Sequence, residues 1–269
     1  MTSPALQEII AVLASPAAGN PSQYLFERAV AAAGLDWQVI TCDVPPERLA
    51  EALSGAAALG FHGGVISGPL RERALALVTT ASPAAAFAGG VGLFAESPEG
   101  FVGHMTDGRG VIEAVRAHAD LAGREVLVLG AGLAGRAVAL EMTLGGVAGV
   151  TVTDPDAERA AALVRDLGGL QTAPARAIEW SDTIAVPEAV SLVVRAAATP
   201  VVFAGLRSDI VLAEITAEAE PPPEAVAAGC CLVESLEIRA VQAAIDFQTL
   251  TGLVPDIEML REALDEYLS

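Results

Sequence analysis

Apolar positions in this chain come in short blocks whose spacing alternates between two periods. Ile9–Ala14 is an apolar, β-rich run and predicts a strand. Leu25, Ala29 and Ala32 then share one face of a helix over Ser22–Ala33, with Gly34 as its stop. Trp37–Val44 reads as a strand, and Pro46–Ala56 as a helix with proline near its start. Phe61–Ser67 is a third strand, and Pro69–Val78 a helix opened by proline. Two short strands near Gly90–Phe94 and Gly100–His104 flank the turn "ESPEG". This pattern predicts an α/β domain with mostly parallel strands.

A helix from about Gly108 leads into a second alternating unit. Val126–Leu129 and Val150–Thr153 read as strands, Ala134–Leu144 and Ala157–Leu167 as helices. Weaker strands follow at Leu192–Val194 and Val201–Phe203. "AEAEPPPEAVAAG" is a surface connection running into a helix, and Cys231–Val233 a last strand. Helices over Arg239–Leu250 and Ile257–Tyr267 close the chain. No repeat of solenoid length is present.

The charge balance narrows the partners. The 269 residues carry a net charge of −19 without any basic cluster, which argues against nucleic acid and anionic membranes. No apolar run reaches the roughly 18 residues of a membrane span, and the first residues lack a basic leader region. Cys42, Cys230 and Cys231 match neither a disulfide framework nor a metal-ligand spacing. The expectation is a reduced, cytoplasmic protein, monomeric or homodimeric, without a metal. A local arginine or a helix N-terminus could still bind a small anion. All 15 basic residues are arginine and the chain is lysine-free, a bias that a GC-rich genome would produce.

One stretch carries nucleotide chemistry. "VLVLGAGLAGRAV" places Gly130, Ala131, Gly132, Leu133, Ala134 and Gly135 in the GxGxxG spacing between an apolar strand and an Ala-rich helix. Such a loop lets the backbone approach a pyrophosphate and aims helix N–H groups at it. Asp154, at the end of the next strand, can accept hydrogen bonds from ribose hydroxyls and would repel a 2′-phosphate. No arginine intervenes before Arg159, so NAD is expected over NADP. The alternative for Asp154 is a plain turn or cap, which "DPDAE" suits. A glycine-rich turn holding no ligand is the alternative for the loop.

The order of parts resembles the shikimate dehydrogenase family. "GFHGGVISGPLRE" lies over that family's GFxGxNVTxPxKE, "AGGVGL" over GAVNT, and "GHMTDGRG" over GxNTDGxG. The segment Gly229–Gly252 lies over its C-terminal G…MLVxQGAxxFxxWTG. The resemblance implies an α/β substrate domain over 1–107, a Rossmann domain over 108–236, and C-terminal helices over 237–269 returning to the first domain. It assigns the catalytic pair to Asp107 and to Arg71, which stands where the family has lysine. It places the substrate-binding serines near Asn20 and Ser22, a threonine at Ser67 and a glutamine at Gln242, beside Ala243 where the family has glycine. Family asparagines become Val65, Gly92 and Met105, which leaves a less polar pocket.

Arginine stays protonated, so Arg71 cannot shuttle a proton as lysine can. It can stabilise an alkoxide or grip a carboxylate, leaving Asp107 as the base. The plainer alternatives are a surface arginine and a helix N-cap. His104 is expected to point away from the face of Met105 and Asp107. His62 and His118 show no partners, Tyr24 could reach the cleft, and Trp37 and Trp180 read as packing residues. Three functions stay open. One is an NAD-dependent oxidoreductase for a small carboxylic or cyclic alcohol other than shikimate. Another is a non-catalytic NAD-binding or metabolite-sensing protein. The third is a true shikimate or quinate dehydrogenase tolerating arginine.

Overall fold

The computed structural model describes residues 7–216 and 221–269. Residues 1–6, where a leader was sought, and 217–220 of the acidic connection lie outside the described residues. The chain divides into two compact units, Met1–Thr106 with Gln242–Ser269, and Asp107–Val241.

The first unit is built on a sheet of six strands: β1 (Glu8–Ala14), β2 (Trp37–Asp43), β3 (Gly63–Ile66), β4 (Thr80–Ala81), β5 (Leu93–Ser97) and β6 (Gly100–His104). Their order is β2-β1-β3-β5-β6-β4. β1 runs parallel to β2 and β3, whereas β5 is antiparallel to both β3 and β6. The sheet is therefore mixed, because the tight turn between Ser97 and Gly100 folds β5 and β6 into a hairpin, with Gly100 at φ +127°. Gly64 is demanded by packing, since a Cβ there would lie 1.9 Å from the carbonyl oxygen of Ala11.

Helices α1 (Ser22–Ala32), α2 (Leu49–Ala58), α3 (Leu70–Ala74) and α4 (Pro83–Ala88) connect these strands, with a 3-10 turn at Pro46–Arg48 before α2. α3 is shorter than the sequence predicts. The β-branched run after it turns outward: the Thr79 N–H donates to the Phe101 carbonyl, and Thr80 and Ala81 pair with β6. Stiff χ1 rotamers favour that extended course over another helical turn.

The second unit holds helices α5 (Asp107–Arg116), α6 (Leu133–Leu144), α7 (Ala157–Gly168) and α8 (Pro223–Ala228). Its main strands are β7 (Glu125–Leu129), β8 (Gly149–Thr153), β9 (Ala175–Ala177), β11 (Val190–Arg195), β13 (Val211–Glu214) and β14 (Cys231–Val233), while β10 (Thr183–Ala185) and β12 (Val202–Ala204) form a separate pair. The main sheet is wholly parallel, in the order β14-β13-β11-β7-β8-β9. The chain proceeds outward from β7 to β9 and then returns to β11 on the other side of β7, which is the doubly wound arrangement. β7 is buried on both faces, and Leu127 and Leu129 pack with Val193, Leu212 and Phe203. Fully burying each such side chain contributes about 1.5–3 kcal/mol.

The long helix α9 (Ser235–Thr251) carries the chain from the second unit into the first, and α10 (Ile257–Leu268) completes the first. Phe247 of α9 meets Phe26 of α1 at 6.3 Å between ring centroids, and Tyr267 of α10 meets Tyr24 at 5.9 Å.

Candidate functional site

The glycine loop of the second unit separates packing glycines from a different kind. Gly130 has φ +105°, and a Cβ on it would meet the Ala197 nitrogen at 2.9 Å. A Cβ on Gly135 would lie 1.9 Å from the Gly130 carbonyl oxygen. Both are required by the protein itself. Gly132, at the N-cap of α6, has φ −75° and nothing within 4 Å of its missing Cβ. Neither backbone strain nor packing explains a glycine there. The open space above an exposed helix N-terminus fits the close approach of a pyrophosphate, with Leu133 and Ala134 supplying the first turn.

Asp154 follows β8 and is buried. One carboxylate oxygen accepts from the Ala131 N–H at 2.6 Å and the other from the Asp156 N–H at 2.8 Å. It thus ties the glycine loop to the turn after β8, and a second lone pair on each oxygen is left for a ribose hydroxyl. Asp156 caps α7 by accepting from the Glu158 N–H at 3.0 Å. Arg159, the first cation after the strand, lies 3.4 Å from the Asp156 carboxylate.

In the first unit, the structure brings together three residues that the sequence placed in a substrate site. Asn20 Nδ2 donates to Ser67 Oγ at 3.1 Å, while its Oδ1 accepts from the Ser22 N–H at 2.9 Å. They stand past the carboxyl ends of β1 and β3, where open α/β sheets bind ligands. Gln242 joins a second group: its Nε2 donates to Thr106 Oγ1 at 3.4 Å, and that hydroxyl donates to Asp246 Oδ1 at 2.6 Å. Asp246 is 6% exposed, a buried carboxylate on α9.

Arg71 sits in the first turn of α3 and is half-buried. Its Nη2 donates to Met105 Sδ at 2.8 Å. The same nitrogen lies 3.2 Å from where a Cβ on Gly92 would be. The guanidinium therefore occupies space that a side chain at position 92 would need. Asp107 opens α5 in the second unit and is 6% exposed.

Several side chains differ from the reading of the sequence. His62 is not without partners, because it faces Glu8, Glu96 and the Leu250 carbonyl. His118 Nε2 lies 2.9 Å from Glu237. Tyr24 donates to Glu266 at 2.8 Å, and that hydrogen bond raises its hydroxyl pKa. In keeping with their reading as packing residues, Trp37 lies tilted against His62 and Trp180 packs on the core of the second unit. His104 is partly buried, and burial lowers its pKa.

Residues the motifs did not mark also stand out. Arg195 Nη1 pairs with Glu214 Oε2 at 3.0 Å, with side chains 12% and 6% exposed, at the carboxyl ends of β11 and β13. The signal was available: "VVR" and "LAE" each end an apolar strand on an ionisable residue. Thr106 and Asp246 had none, because a contact 140 residues apart has no local period.

A doubly wound parallel sheet with a pyrophosphate-type glycine loop at its central strand defines a dinucleotide-binding class of protein. The chain belongs to the shikimate dehydrogenase family. Residues 12–93 match the model of the shikimate dehydrogenase substrate binding domain. The NADP(+) shikimate dehydrogenase of Thermococcus kodakarensis is 31% identical over 266 residues, covering 96% of each chain. The crystal structure of a Gluconobacter 5-ketofructose reductase superposes with a TM-score of 0.91 at 26% identity, covering 97% of this chain and 99% of that one. That of the Thermus thermophilus shikimate 5-dehydrogenase, with NADP(H) and shikimate, gives 0.83 at 29% identity, covering 97% and 100%.

Proposed function

We propose that the protein is an NAD-dependent dehydrogenase of this family whose substrate is a small carboxylic or cyclic alcohol, or the matching ketone, other than shikimate. One observation carries the reading. Arg71, Gly92 and Met105, all departures from the family pattern, form one contact group in the first unit. The lysine, the asparagine side chain and a second asparagine are replaced together by one guanidinium that fills the glycine's space and rests on a thioether. A site built to bond a hydroxyl discriminates strongly, and losing such partners typically costs orders of magnitude in preference.

The chemistry left to these residues is asymmetric. Gly130, Gly132, Gly135 and Asp154 would hold a nicotinamide dinucleotide, which would supply the hydride acceptor for a carbinol carbon. Asp107 accepts the hydroxyl proton, and Arg71, always charged, stabilises oxygen as negative charge develops on it. Asn20, Ser22, Ser67 and Gln242 orient the remaining oxygens. The likeness to a 5-ketofructose reductase supports a second substrate class, a small keto-sugar. Purified protein assayed with shikimate, quinate, 5-ketofructose and small hydroxy acids tests the reading. Turnover of shikimate at the rate of the best substrate would overturn it.

NAD is assigned over NADP although the curated relative uses NADP(+). Support comes from the two carboxylates of Asp154 and Asp156 in the turn after β8, a charge that disfavours a 2′-phosphate, and from Arg159 lying against Asp156. Calorimetry should give NAD an advantage of about tenfold or more, about 1.4 kcal/mol. Equal affinity would reject the assignment.

A further inference from the structure

At the end of the first unit's sheet opposite Ser67, three side chains converge from neighbouring strands. Glu8 begins β1, His62 immediately precedes β3, and Glu96 lies on β5. Register explains the meeting: Ile10 pairs with Gly63 and Gly63 with Ala95, so positions 8, 62 and 96 share one end of the sheet. The Glu96 N–H donates to the His62 carbonyl at 2.9 Å, which fixes the closest pair.

The imidazole is held for a purpose that packing alone does not explain. Nε2 lies 2.5 Å from the Leu250 carbonyl oxygen, an acceptor only, so Nε2 carries the proton. In the neutral ring, Nδ1 then presents a lone pair. It lies 2.9 Å from Glu96 Oε1 and 3.7 Å from Glu8 Oε2. Nδ1 has no exposed surface and no hydrogen bond of acceptable angle. Potential ligand atoms of all three residues lie within 4.8 Å of one another. Trp37 covers the ring at 4.6 Å. Among the described residues, neither carboxylate has an arginine partner.

We infer that Glu8, His62 and Glu96 form a binding site for one divalent transition-metal ion of the zinc class. Two carboxylates and one imidazole match the charge and donor type that zinc accepts, with solvent in the fourth position. A ligating histidine that donates its other N–H to a backbone carbonyl is the usual outer-shell arrangement. The ion would tie β1, β3 and β5 together and, through Leu250, tie them to the end of α9. Its role is structural, and it does not depend on the dehydrogenase reading.

The test uses the full-length, untagged protein with Cys42, Cys230 and Cys231 changed to serine, because free thiols also bind zinc. After chelator treatment, zinc titrated calorimetrically should bind at one equivalent and raise the melting temperature. Glu8→Gln with Glu96→Gln should weaken binding at least 100-fold, because the oxygen charge is lost while the ring and strands remain. In a Trp180→Phe background, cobalt or copper should quench the Trp37 emission saturably, and not in the double glutamine variant. His62→Gln should also abolish binding; if it fails to fold, the glutamine pair still decides. Absence of one-to-one binding, or binding unchanged by the glutamine pair, would show that a proton on His62 is all these carboxylates share.

Discussion

In the proposed reading, Arg71 is the residue on which the chemistry turns. If it replaces lysine in function, Arg71→Lys should preserve or raise dehydrogenase rates on the true substrate, since lysine restores a titratable group. Arg71→Met should remove anion binding while leaving NAD affinity within about twofold, less than about 0.5 kcal/mol, because the nucleotide loop belongs to the other unit. Unchanged activity and unchanged anion binding in both variants would place Arg71 outside the site. The proposed preference for NAD rests on residues just past β8. Pro155 is exposed between Asp154 and Asp156 and bears no hydrogen bond, so Pro155→Arg should raise NADP affinity by about tenfold without lowering the melting point. A change at Asp154 itself is less informative, since that carboxylate also holds the Ala131 N–H.

Among the elements, the β7–α6 junction gives the sharpest test of ligand against packing. Gly132→Ala should leave stability within about 1 kcal/mol, because its backbone is ordinary and its surroundings open. The same change should lower NAD affinity at least tenfold. Gly135→Ala should instead unfold the junction, driving a methyl group into the Gly130 carbonyl. Thermal melts beside NAD titrations separate the two. This junction was legible in the sequence, because an apolar run, a glycine spacing and an Ala-rich helix are all local signals. So were α1, β2, β6, α9 and α10, whose periods or turn residues lie within a few positions. The mixed first sheet was less so, since strand direction depends on a partner and not on composition. The two-residue β4, the three-residue β9 and β10 and the four-residue β13 were missed, because so few residues show little alternation. Of the candidate site, Ser67 and Gln242 were proposed from motifs and Asn20 only from its position near the family's serines. Glu8, Asp246 and Glu214 could not be placed, because their meaning lies in neighbours supplied by other strands and helices.

For the whole molecule, charge comes first. With a net −19 and no lysine, self-repulsion opposes compaction, so adding salt up to about the 0.15 M range should raise the melting temperature. A fall on adding salt would mean that specific ion pairs outweigh the repulsion. Acid should also weaken the fold through His104. Burial lowers its pKa in the folded state, so the unfolded chain binds the proton more readily. Its contribution is intact above about pH 6.5 and is lost as pH falls below that value. His104→Gln should flatten this limb of the melting-temperature profile. The chain's path between its units has a consequence for synthesis. The second unit is one continuous segment, Asp107–Val241, whereas the first needs both Met1–Thr106 and the final residues from Gln242. On the ribosome, the part begun first is thus the part finished last. Until Phe247 and α10 emerge, Phe26 and Tyr24 lack the rings they pack against, and the newborn amino-terminal half must wait while the domain translated after it folds.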